Sequence, residues 1–322
     1  MAYSSKIYNK ALRILEQRRD TAFTEAQIRS EEIRSAVPEI DSIQKQLSEI
    51  GLEISQLFFF KGNTDEKISE LRNKSRALIS KRAELLKKNG YSEDAMQTEH
   101  ICAVCEDRGF IGGRLCNCHR QLLKDIMREE IRQLAPIDEC TFDSFDLEYY
   151  SNEPLDNSIV PRARAQKIFD SSRKYAQNFS LNSKNILFLG KTGLGKTHLS
   201  LAIANVVINK GYYVCYGTSQ NICDDLQSEQ FGRNEEIYYT KQQVLGCDLL
   251  ILDDLGTEID NQYSIATLYN IINSRILSKK PTVISTNCEL SELLSKYDQR
   301  ITSRITGEYT KMTFLGNDIR NI

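Results

Sequence analysis

Nowhere in these 322 residues does an apolar run approach the ~18 positions that a membrane helix needs, so no membrane span is expected. The opening Met1-Ala2-Tyr3-Ser4-Ser5-Lys6 has no apolar core of the kind a secretory signal carries, and none is expected. An excess of one charge is also missing. With 42 basic residues against 44 acidic ones the net charge is -2, which excludes recognition of nucleic acid by a bulk basic field and leaves only local contacts. There is no internal repeat and no low-complexity tract. Cysteine is present in an odd number, nine, and five of these (Cys140, Cys215, Cys223, Cys247, Cys288) stand alone. In a reducing compartment isolated cysteines serve as small core hydrophobes, so a cytoplasmic protein is expected. At 40% hydrophobic residues the chain can bury a sizeable core, and its length suggests two domains.

Residues 1 to about 90 read as helical. From Ile33 the apolar positions Val37, Ile40, Ile43, Leu47, Ile50, Ile54 and Leu57 follow in steps of three and four, which places them on one helical stripe, with Pro38 in the first turn. A break is expected at Lys61-Gly62-Asn63, with Asn63 and Glu66 capping a second helix that carries Ile68, Leu71, Leu78 and Leu85. The product is a helical hairpin, either a packing unit or a partner-binding surface. An irregular acidic segment, Pro136 to Pro161, suits a connection between domains. Beyond it, β-rich runs at Asn185–Leu189, Tyr212–Tyr216, Asp248–Leu252, Pro281–Thr286 and Lys311–Leu315 alternate with helical stretches. That alternation predicts an α/β core, a parallel five-stranded sheet flanked by helices. The expected division is 1–135, 136–160 and 161–322.

Gly190-Lys191-Thr192-Gly193-Leu194-Gly195-Lys196-Thr197 fits the phosphate-binding P-loop in full, between a strand and an apolar helix that opens at His198. Its glycines let backbone N–H groups curl around phosphate oxygens, and the helix N-terminus adds partial positive charge there. Gly190, Thr192, Gly193, Leu194, Gly195, Lys196, Thr197 and His198 are therefore assigned to ATP, with Lys196 reaching the β- and γ-phosphates and Thr197 offering its hydroxyl to Mg²⁺. Asp248-Leu249-Leu250-Ile251-Leu252-Asp253-Asp254 describes a buried strand that delivers carboxylates to its C-terminal end. Asp253 is placed to hold Mg²⁺, directly or through water, and Asp254 to polarise the attacking water. Asn287, after the next strand, either positions that water or γ-phosphate or simply caps the strand. Arg300, Arg304 and Arg320 are late arginines, suited either to a transferring phosphoryl group or to a solvated helix face.

A compact cysteine module precedes the core. Cys102-x₂-Cys105 and Cys116-x-Cys118, with Gly109, Gly112 and Gly113 between them, can form a closed tetrahedral Zn²⁺ site. His100 and His119 flank the pairs as substitutes. A disulfide does not suit the cytosol, and an iron–sulfur centre would need redox chemistry that nothing else here suggests. Four protein ligands leave no open position, so this zinc is scaffolding.

Taken together, the core resembles an AAA+ ATPase. More closely it is similar to the bacterial helicase loaders, the DnaC/DnaI-like ATPases, which are related to the helper ATPases of IS21-type transposons. The residues that carry the resemblance are Phe142-Asp143-Ser144-Phe145, the loop Gly193 to Leu199, Asp253-Asp254-Leu255-Gly256-Thr257-Glu258, Ser285-Thr286-Asn287, Arg300-Ile301-Thr302-Ser303-Arg304 and Gly316-Asn317-Asp318-Ile319-Arg320, together spanning residues 140–322. The resemblance implies that Asn287 is the first sensor, Arg300 the trans-acting finger ahead of Arg304, and Arg320 the second sensor. It implies that residues 217–247 include a helical insert that helps line a path for single-stranded DNA, here with Phe231, Arg233, Tyr238, Tyr239 and Lys241. It also implies a zinc-bearing N-terminal region that binds the replicative helicase, and ATP-dependent self-assembly. AAA+ enzymes at large carry Glu at the position of Asp254; the shorter carboxylate implies slow hydrolysis, with Glu258 the candidate to assist. A transposition helper is the alternative function, although such chains usually lack the cysteine module. A third reading is a nucleotide-gated adaptor with little turnover.

Overall fold

The computed structural model describes residues 3–57, 65–155, 159–232, 239–259 and 261–319. Packing divides the chain into two compact units, one of Leu12–His119 and one of Met1–Ala11 with Arg120–Ile322. This grouping differs from the expected division at residue 135.

In the first unit the helices are α1 (Ser5–Ala36, which begins in the other unit), α2 (Pro38–Leu57) and α3 (Asp65–Lys88). α2 and α3 form the expected hairpin and run antiparallel: Gln44 accepts from Arg82, and Glu53 pairs with Lys67. The stripe that begins at Ile33 does not lie on one helix. Ile33 belongs to α1, Val37 lies between helices, and α2 starts at Pro38, whose absent N–H and fixed φ suit a first helical position. Ile33, Val37, Ile40 and Leu86 nevertheless bury one another, so the periodicity marked a core face across a helix break. The expected break at 61–63, with its Asn63 cap, lies outside the described residues. A small antiparallel hairpin of β1 (Phe110–Ile111) and β2 (Arg114–Leu115) follows.

After α4 (Asn117–Arg132), the second unit contains α5 (Pro161–Gln177), β3 (Asn185–Leu189), α6 (Lys196–Asn209), β4 (Val214–Thr218), α7 (Ser219–Phe231), α8 (Lys241–Gly246), β5 (Leu249–Leu255), α9 (Gln262–Leu277), β6 (Thr282–Thr286), α10 (Leu290–Lys296), α11 (Gln299–Glu308) and β7 (Tyr309–Thr313). The five long strands form one parallel sheet in the order β4-β5-β6-β3-β7. All five expected strands are present. β7 begins two residues earlier than the apolar residues suggested, because its sequence YTKMT is that of an edge strand with polar side chains outside and Tyr309 inside. Ile186 to Phe188, Leu249 to Leu252, Val283 and Ile284 are buried, as befits strands covered on both faces. Residues 136–155 lie along this core, with Ile137, Phe142, Phe145 and Tyr150 buried and the Asn205 amide donating to Ile137 O and Cys140 O. No helix among the described residues is long and apolar enough to cross a membrane.

Candidate active site and metal centre

Because the strands are parallel, the turns that leave β3, β5 and β6 emerge along one edge, where open α/β sheets bind ligands. The turn after β3 is the P-loop. Gly195 has φ +76, and a Cβ there would lie 2.7 Å from the Phe145 ring and 2.8 Å from the Tyr150 hydroxyl, so both conformation and space require glycine. The Tyr150 hydroxyl donates to Leu194 O at 3.0 Å and holds the loop from beneath.

Lys196 is buried, and its ammonium donates to Gly190 O (2.6 Å), Lys191 O (2.7 Å) and Asn287 Oδ1 (2.8 Å). The Asn287 amide nitrogen donates onward to Asp254 Oδ1 at 3.0 Å. Thr197 Oγ1 donates to Asp253 Oδ2 at 3.0 Å. Asp253, only 2% exposed, takes two further hydroxyls, from Tyr216 on β4 to Oδ2 (2.8 Å) and from Ser285 on β6 to Oδ1. Burial and then the Asp253 charge push the Tyr216 phenol far above its ordinary range, so it stays a donor.

Asp254 sits where the pairing of β5 with β6 slips, and its φ is +54, a conformation that costs a non-glycine residue about 1–3 kcal/mol. The surroundings hold it there: its N–H donates to Ser285 Oγ, and its carbonyl accepts from Ser219 Oγ and Thr257 Oγ1. Burial, with the neighbouring Asp253 charge, raises the Asp254 pKa, and Lys196 and Asn287 oppose that rise. A carboxylate raised in this way is a better proton acceptor for water.

The other predicted residues are placed as follows. The His198 ring packs on Phe145, with Nε2 2.8 Å from Thr141 O, so it fastens the 141–145 segment to α6. Thr192 is exposed, and the Leu194 side chain is buried. Arg300 is exposed, paired with Asp298 at 2.7 Å and stacked 5.0 Å above the Tyr269 ring. Arg304 lies 4.9 Å from the same ring and donates to Asn273. Arg320, Arg233 and Tyr238 fall outside the described residues. Glu258 is buried and accepts from Ser219, the Gly256 N–H and Tyr297, contacts that tie α7 and α10 to the end of β5. Tyr216 was not anticipated as a site residue, nor was the hold of Ser285 on Asp253. Their contacts arise from strand order, which no local pattern reveals.

The sulfurs of Cys102, Cys105, Cys116 and Cys118 all lie within 4.8 Å of one another, with 3.8 Å between Cys102 and Cys116 and 3.3 Å between Cys105 and Cys118. A tetrahedron with zinc–sulfur bonds of ~2.3 Å has edges of ~3.8 Å, so the set fits Zn²⁺. Backbone N–H groups of Cys105 and Val104 pull the Cys102 thiol down to about 7, whereas burial drives Cys118 far up. Four thiolates so close together need a cation to coexist. Buried Asp107 accepts from Ile101 N and Cys102 N and shapes the first knuckle. The histidines considered as substitutes point elsewhere: His119 Nδ1 is 3.3 Å from Gly109 O, and His100 lies 3.6 Å from Asp107.

Residues 156–306 match the family described as IstB-like ATP binding protein. Among curated proteins, the replicative helicase loader DnaC of Buchnera aphidicola subsp. Baizongia pistaciae is 29% identical over 162 residues, 49% of this chain and 65% of its own length. DnaC of Escherichia coli strain K12 is 27% identical over 158 residues, 48% of this chain and 64% of its own. The core is DnaC-like in sequence, a P-loop set on a five-stranded parallel sheet. A crystal structure of the DnaC helicase loader overlaps 56% of this chain and 99% of that one, at 22% identity and a TM-score of 0.46. The present chain thus spans just under two thirds of the curated relatives it matches. Within the core the P-loop, the acidic strand and Asn287 all fall inside the matched residues.

Proposed function

We propose that this chain is an ATP-dependent loader that places a replicative DNA helicase on single-stranded DNA. The observation that carries this reading is the hydrogen-bonded line Lys196–Asn287–Asp254 beside the Thr197–Asp253 pair, in a DnaC-like core. Lys196 and the loop amides bind the phosphates. Thr197 and Asp253 offer hard oxygens 3.0 Å apart, which suit Mg²⁺. Bound there, Mg²⁺ would neutralise charge on the phosphates. Asp254 takes the proton as water attacks the γ-phosphorus, the bond to the β-phosphate oxygen breaks, and ADP leaves with the electron pair. Asn287 touches both Lys196 and Asp254 and so can report the γ-phosphate to the base. Arg300, exposed on α11, completes a neighbour's site as ATP-bound cores assemble, and Arg320 reads nucleotide in its own subunit. Residues 1–135, scaffolded by zinc, grip the helicase, residues 136–160 connect, and residues 161–322 form the ATPase, all in the cytoplasm. Hydrolysis, slowed by the short reach of Asp254, releases the loader.

The test is light scattering on size-exclusion fractions of the chain mixed with its host's replicative helicase, with and without ATP. A complex formed by the full chain and lost when residues 1–135 are removed is expected; no complex under any nucleotide condition would sink helicase loading for that helicase. The match to IstB-like ATP binding protein favours a second reading, a transposition helper that binds DNA and recruits a transposase. That reading gains if the helicase is ignored but DNA-stimulated turnover persists.

A further inference from the structure

Asp253 receives hydroxyls from three directions, and the one from Tyr216 belongs to no motif. In the sheet, Thr218 is the register partner of Asp253 and Tyr216 that of Ile251, so Tyr216 stands one pleat earlier on the same face and reaches diagonally to the carboxylate. It is buried and fixed at its other end. The Tyr239 hydroxyl donates to Tyr216 O at 2.8 Å, and Tyr239 lies so close over Gly217 that a Cβ there would be 2.6 Å from its oxygen. Tyr239 N in turn donates to Asp225 Oδ2 on α7, and the next residue, Thr240, caps α8. A line of hydrogen bonds therefore runs from Asp225 on α7 through two tyrosines to the carboxylate beside Thr197.

We infer that Tyr216 is a positioning residue for Mg²⁺: its hydroxyl sets the orientation of Asp253, and Tyr239 couples that orientation to Asp225 on α7. The inference rests on the ATP-binding reading of the core. Hydroxyls of this kind around a ligating carboxylate fix which lone pairs face the metal, and their loss commonly weakens metal affinity by about tenfold or more. Ser285 fixes Oδ1, so removal of the Tyr216 hydroxyl frees rotation about one side of the carboxylate without leaving it bare.

The experiment is equilibrium binding of a fluorescent ATP analogue to the full chain, first in chelator and then across a Mg²⁺ titration, for wild type, Tyr216→Phe and Asp253→Asn. The expected result for Tyr216→Phe is an unchanged metal-free affinity and a Mg²⁺ half-saturation raised about tenfold, with Asp253→Asn displaced further. A Tyr216→Phe titration that coincides with wild type while Asp253→Asn is displaced would overturn the inference. So would an equal loss of affinity with and without Mg²⁺, the mark of a merely structural role. If wild type binds no nucleotide, the ATP-binding reading fails and takes this inference with it. If Tyr216→Phe does not fold, Tyr239→Phe, which removes the hydrogen bond to the Tyr216 carbonyl, is expected to shift the Mg²⁺ curve in the same direction by a smaller factor; an unshifted curve then overturns the proposal.

Discussion

In the proposed reaction the chemistry turns on the protonation of Asp254, half-buried at positive φ beside a second carboxylate. Its pKa is raised in the folded chain, so protonating it favours the fold below its unfolded pKa, and that contribution is lost as pH rises through the folded value. The ionised base is present only above the folded value. The acid limb of the turnover profile should therefore lie above that of an unperturbed aspartate, checked by initial rates from pH 4 to 8. Asp254→Asn should abolish that limb and lower turnover by roughly 10²-fold or more while nucleotide still binds. Lys196→Ala should remove nucleotide binding itself, measured by the same fluorescent analogue. These residues were legible in the sequence because a P-loop and an acidic strand end are local patterns. Ser285 and Tyr216 were not, since their contacts with Asp253 depend on β6 and β4 lying on either side of β5. His198 stood in the motif, yet its nitrogen meets Thr141, far away along the chain.

Among the elements, two buried charged side chains stitch the core. Glu258 binds Ser219 at the start of α7, the Gly256 N–H after β5, and Tyr297 just past α10. Burial pushes its pKa up, but these donors outweigh burial and leave it below its ordinary value. Its contribution to stability is therefore present above the unfolded pKa and lost as pH falls through the folded one. Glu258→Ala strands the Gly256 N–H and the Tyr297 hydroxyl and should cost about 3 kcal/mol by urea denaturation at pH 7. Arg275, only 1% exposed, donates from α9 to Val244 O, Cys247 O, Pro281 O and Thr282 Oγ1, closing the opposite edge of the sheet. Arg275→Met should be destabilising by about 3 kcal/mol or more in the same assay, with nucleotide contacts untouched. At this scale the existence of each strand could be read from apolar runs, but their limits could not. β7 hid behind Thr310 and Lys311, and α1 and α2 shared one stripe across the junction at Val37.

For the molecule as a whole, the cysteine module offers the plainest test. One zinc per chain is expected by elemental analysis, and its removal by a chelator should expose the amides of Cys102, Gly109 and Cys116 to hydrogen exchange, since metal binding of ~10–16 kcal/mol holds such small modules folded. The spacing of the four cysteines was visible at once, whereas the grouping of residues 120–135 with the core was not, because nothing in the sequence of α4 says which unit its buried face meets. The order of the strands carries one more consequence. β3, which launches the P-loop, pairs with β6 and β7, so that Ile186 meets Val283 and Asn185 meets Tyr309, roughly a hundred residues away along the chain. β4 and β5 are far nearer neighbours. During refolding, closing the long loop around β3 is expected to be the slow step, so the capacity to bind nucleotide should appear after most of the helical signal has returned, making ATP a reporter of the last native contacts to form.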